Sequence, residues 1–140
     1  MVRLNVGCCG FPGGMKSYFR EFKLVEVQTT FYNLPRVETA MGWRQEAPKD
    51  FRFAVKAWQG MTHPTSMPTW RGVRTPVPRE KKERYGLLQP TEEVFEAWRK
   101  TREICEVLEA PICLVQCPAA FDASETNMGN MRSFFSEIHR

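Results

Sequence analysis

"VEVQTTFYNLP", residues 25–35, decides how this chain is read. The stretch alternates with the two-residue period of a strand. Val25, Val27 and Thr29 fall on one face, and Glu26, Gln28 and Thr30 on the other. "FRFAVKAW", residues 51–58, alternates in the same way, with Phe53 and Val55 opposite Arg52, Ala54 and Lys56. In an open sheet with helices on both sides, central strands are apolar throughout. In a closed (β/α) barrel only the outer face packs on helices, and polar side chains near the C-terminal strand ends line the mouth. The alternation here fits the barrel.

Outward from these two strands, the chain reads as four strand–helix units. LNVGCCG (4–10) predicts a strand, with a short helix around 17–22 after a glycine-rich turn. The strand at 24–32 precedes a helix at 37–48, limited by Pro48, and the third strand spans 51–58. Thr91 can cap a helix over 92–110, with Val94, Phe95, Trp98, Arg102, Cys105 and Leu108 on its apolar face. PICLVQCP (111–118) predicts the fourth strand, with Leu114 and Gln116 opposite Cys113 and Val115. Ser124 can cap a last amphipathic helix, 124–140. Alternating strands and helices imply a parallel sheet with right-handed crossovers. Residues 59–90 read as one long basic loop, of the kind that forms lids or binding loops.

At 140 residues the chain is long enough for one domain. Apolar residues at 42% and charged ones at 26% suit a globular protein. The net charge of +4 permits anionic ligands without indicating nucleic acid. No apolar run resembles a signal peptide or a membrane span. Five irregularly spaced cysteines suit free thiols in a reducing compartment, so the expected location is the cytoplasm.

Glu26 and Lys56 lie on consecutive strands, about 4.8 Å apart across a sheet. A buried acid and amine are costly unless paired, so an ion pair between them inside the barrel is expected. Such a pair can be purely structural or can form part of a site with acid–base roles. Gln28, Thr30 and Tyr32, and Gln116 on the fourth strand, stand at or past strand ends as candidate substrate contacts. Cys9 joins them at the mouth.

Together, "VGCCGF", "VEVQTTFYNLP", "DFRFAVKAWQGMTH" and "LVQCPAAF" resemble the YecE-like family, domain of unknown function 72, across essentially the whole chain. The wording around Pro90, Ala97, Thr101 and "QCPA" is similar to its archaeal branch. The resemblance implies a TIM-barrel-like fold whose activity is not established, and it adds His63 of "GMTH" to the catalytic candidates. Family members run to roughly 240–300 residues, near the ~250 of a barrel. The chain therefore resembles an N-terminal half, a truncated half-barrel of about four parallel strands. Its open edges invite pairing, either with a second copy or with a separately encoded C-terminal half.

The expected function is an enzyme-type pocket for a small polar, sugar- or phosphate-bearing substrate, with Glu26, Lys56 and His63 in acid–base roles. The alternative is a noncatalytic protein whose loop 70–84 contacts nucleic acid or another polyanion. No cofactor is indicated. The cysteines form no CxxC chelate, so core or wall cysteine is the default and no metal site is expected, while a composite of Cys9, His63 and Cys117 is geometrically conceivable.

Overall fold

A computed structural model describes residues 4–139. It contains β1 (Gly7–Cys9), α1 (Met15–Glu21), β2 (Leu24–Val27), α2 (Val37–Glu46), β3 (Arg52–Lys56), α3 (Glu92–Val107), β4 (Ile112–Leu114) and α4 (Glu125–Ile138). The four strands form one parallel sheet whose spatial order follows the chain, β1-β2-β3-β4. This is the α/β arrangement of part of a (β/α) barrel, in which each helix returns the chain to the next strand.

The helices cover one face only. Val25, Val27, Phe53 and Val55 are buried with Ala40 of α2, Ile104 of α3 and Leu108 just past α3. On the other face Glu26, Gln28 and Lys56 are half-buried, while Cys9, Ile112, Leu114 and Gln116 are exposed. The two-residue period therefore assigns the faces of β2 and β3 as the sequence predicts. Tyr18 of α1 ties the β1 edge down. Its hydroxyl donates to Leu24 O at 2.7 Å and accepts from Cys8 N.

Thr91 and Ser124 cap α3 and α4, accepting from Val94 N and Asn127 N at 3.3 Å each. The buried side of α3 differs from the predicted one. Val94, Ala97, Thr101 and Ile104 are buried, and Arg102 is exposed. Spacings of three and four alternate along that stripe, whereas successive steps of four from Val94 through Trp98 to Arg102 drift around the helix. Phe95 and Trp98 pack instead against Phe134 of α4, at ring separations of 5.9 and 6.2 Å.

Residues 59–90 contain no α-helix or strand, but the loop is ordered locally. They hold three 3-10 turns, Gln59–Met61, Pro68–Gly72 and Arg79–Arg84. The far end folds back onto the first turn: Gly86, Leu87 and Leu88 donate to the carbonyls of Gly60, Thr62 and Met61. All three have positive φ, of 85°, 53° and 51°. Two leucines in the left-handed region cost about 1–2 kcal/mol each. The three backbone bonds and the fully buried Leu88 side chain offset that cost. Gly86 has no substitute here, because a Cβ would lie 2.5 Å from the His63 carbonyl carbon and Pro64 N.

Candidate functional site

The C-terminal ends of β2 and β3 build the polar site. β2 stops at Val27, and a 3-10 turn over Thr29–Phe31 follows. The turn swings Thr30 out of the strand alternation. Its side chain is buried, and its hydroxyl lies 2.8 Å from Val27 O and 2.6 Å from Lys56 O. Thr30 thus ties the end of β2 to the end of β3 and presents no hydroxyl to the concave face. The sequence expectation of a substrate contact there meets a structural use of the same group.

Glu26 and Lys56 do not pair directly. In the parallel register Glu26 lies beside Ala54, which leaves Lys56 level with Gln28. The Gln28 amide bridges them. Its Nε2 donates to Glu26 Oε1, and its Oε1 accepts from Lys56 Nζ at 3.4 Å. The expected ion pair is therefore a carboxylate–amide–ammonium chain. An amide offers both a donor and an acceptor, so it can link groups too far apart to touch. The half-buried setting leaves the second Glu26 oxygen and the remaining Lys56 N–H donors able to meet a ligand.

His63 stands close by. Its Nδ1 is 2.8 Å from Thr62 Oγ1, and its ring meets Phe31 edge-on at 4.9 Å. Lys56 Nζ lies over the same Phe31 ring, 4.5 Å from its centre. Phe31 is thus a shared platform for the ammonium and the imidazole. Burial, followed by the charge of Lys56, holds the His63 pKa below its ordinary value. The ring is therefore neutral near pH 7. With Nδ1 engaged by Thr62, Nε2 takes no protein partner among the described residues.

Tyr32 is exposed past the turn, with its ring against Phe31 and its carbonyl accepting from Trp58 Nε1 at 3.2 Å. Cys9 is aligned with Glu26 across β1 and β2. Gln116 is exposed beyond β4 and makes no hydrogen bond to the central chain. Cys117 instead packs in the second core cluster with α4. No cluster of His, Cys, Asp or Glu among the described residues could hold a metal ion, so the Cys9–His63–Cys117 composite is not assembled. In the basic segment 70–84, Lys81 and Arg84 both engage Glu93, at 3.6 and 2.6 Å.

Sequence reasoning missed Phe31, Thr62 and Asn33. Phe31 reads as a strand residue until the 3-10 turn is seen. Asn33 fixes the segment above the site: its Nδ2 donates to Gly72 O and its Oδ1 accepts from Arg74 N, both at 2.8 Å. Its one signal in the sequence is an asparagine in a turn before Pro35, a common place for backbone-mimicking bonds.

The fold and the concave polar strand ends define a TIM-barrel-like protein, here seen as four of its parallel strands. The profile described as "Protein of unknown function DUF72" matches residues 12–140, and the chain belongs to that family. UPF0759 protein YunF of Bacillus subtilis is 27% identical over 119 residues, 84% of this chain and 36% of that protein. UPF0759 protein YecE of Escherichia coli K12 is 36% identical over 53 residues, 38% of this chain and 20% of YecE. A DUF72 family crystal structure from Enterococcus faecalis V583 superposes with a TM-score of 0.61 at 20% identity, covering 91% of this chain and 45% of the other. The chain thus spans less than half the length of these relatives. No helix among the described residues is long and apolar enough to cross a membrane.

Proposed function

We propose that the concave face at the ends of β2 and β3 is an acid–base site for a small polar, sugar- or phosphate-bearing substrate. The observation that carries this reading is the Glu26–Gln28–Lys56 chain beside a neutral, buried His63. A carboxylate, an ammonium and an imidazole at one strand-end cluster supply the two halves of proton transfer. Lys56 would receive an anionic oxygen of the substrate, Glu26 a hydroxyl, and His63 Nε2, in the tautomer whose Nδ1–H donates to Thr62 Oγ1, a proton. Gln28 sets the spacing between acid and amine. Isomerisation and hydrolysis both run on such a set. Five unpaired thiols support a cytoplasmic setting for this chemistry.

The test is a turnover screen of sugar phosphates and phosphate esters with the purified chain, its Glu26→Gln variant and its Lys56→Met variant. Loss of turnover in both variants with retained fold supports the roles. Equal turnover in wild type and both variants rejects them.

A further inference from the structure

We propose that a second cleft, lined by none of Glu26, Gln28, Lys56 and His63, binds a phosphate monoester with a planar body. The cleft encloses about 360 Å³, within the range of small-ligand pockets. Trp58 and Tyr85 form one wall, Leu34 and Pro76 contribute apolar surface, and Arg74 and Lys100 supply cations. No acidic side chain among the described residues lines it. Lys100 has a partner in Glu96 at 3.4 Å, but both side chains are about half exposed. Such a surface pair is weak and can be shared with an anion. The exposed Arg74 has no acidic partner among the described residues. Two cations match the two negative charges of a phosphate monoester, whereas a carboxylate carries one.

The walls are built before any ligand arrives. Trp58, Trp70 and Tyr85 meet edge to face, with ring centres 5.4–6.0 Å apart. Trp58 Nε1 is bound to Tyr32 O and Trp70 Nε1 to His63 O. The Asn33 side chain grips the backbone on both sides of Val73 and so places Arg74 at the cleft. Gly60 admits the Trp58 ring, because a Cβ there would lie 2.6 Å from Trp58 Cζ3. A fixed aromatic corner beside the unpaired Arg74 and the weakly paired Lys100 is suited to a ring stacked on one wall and an anionic head at the other.

The probe is phenyl phosphate, followed by the Trp58 indole NMR signal and by calorimetry. It should shift the indole signal and saturate, while benzyl alcohol, benzoate and inorganic phosphate bind more weakly. Arg74→Met and Lys100→Met should each weaken phenyl phosphate by about tenfold or more, as loss of a charge-assisted bond implies. Both side chains are exposed, and circular dichroism checks that the variants keep their fold. An unmoved Trp58 signal, equal affinity in both variants, or equal binding of inorganic phosphate alone overturns the proposal. Because Trp58 Nε1 bonds Tyr32 O and Trp70 Nε1 bonds His63 O, the Lys56→Met variant is titrated alongside: phenyl phosphate binding retained in it separates this cleft from the concave-face reading, and binding lost in it overturns the proposal.

Discussion

At His63 the fold shifts a titration that falls close to neutral pH. Burial and the nearby Lys56 charge lower its pKa, so the folded protein binds its proton less readily than the unfolded chain does. The unfolded state then takes up more protons as pH falls, and stability drops with it. The His63 contribution is fully present above the ordinary histidine value near 6.5 and is lost as pH falls through the lower folded value. Urea unfolding between pH 7.5 and about 5 should therefore show a falling midpoint. His63→Gln should flatten that decline. A wild-type midpoint insensitive to pH in this window, or a variant with the same slope, contradicts the burial-driven shift. The pairing at Lys56 teaches a related lesson. The two-residue period places Glu26, Gln28 and Lys56 on one face of β2 and β3, because it depends only on which positions are apolar. It could not set the register between the strands, and register decides that Gln28 rather than Glu26 meets Lys56.

At the scale of elements, the strap formed by residues 86–88 holds the turn that carries His63. Gly86→Ala places a Cβ against the His63–Pro64 peptide at a positive φ. The expected loss is about 2 kcal/mol or more, from left-handed backbone and overlap together. Chemical denaturation measures it, and hydrogen exchange at Leu87 and Leu88 should accelerate. A Gly86→Ala variant of wild-type stability would show that the strap is not under the constraint described. This segment was illegible beforehand for a physical reason. Its anchors are backbone bonds to residues about 25 positions earlier, and no periodicity encodes such a contact. The helix caps were legible, since Thr91 and Ser124 act on their own neighbours. The buried stripe of α3 was only half legible, because its apolar residues serve both the sheet and Phe134 of α4.

At the scale of the molecule, the sheet has two edges. β1 and β4 each pair on one side only among the described residues. Ile112 and Leu114 on β4 are 56% and 39% exposed on the concave face. Open edges beside exposed apolar side chains favour association. We propose that, when these 140 residues are present alone, a second copy occupies those edges, because two sets of four strands supply the eight of a barrel. Analytical ultracentrifugation should show a concentration-dependent dimer that Ile112→Lys and Leu114→Lys shift to monomer, with circular dichroism showing that the variants keep their fold. A monomer at every concentration, or a dimer formed only with a separately expressed C-terminal half of a relative, contradicts self-association. The roles proposed for Glu26, Lys56 and His63 require ligand to bind on the concave face. The most direct measurement is NMR mapping of side-chain and backbone signals during titration with a panel of sugar phosphates. Perturbations centred on Glu26, Gln28, Lys56 and His63, and abolished by Lys56→Met, are predicted. Saturable binding that leaves those four residues unmoved contradicts the account.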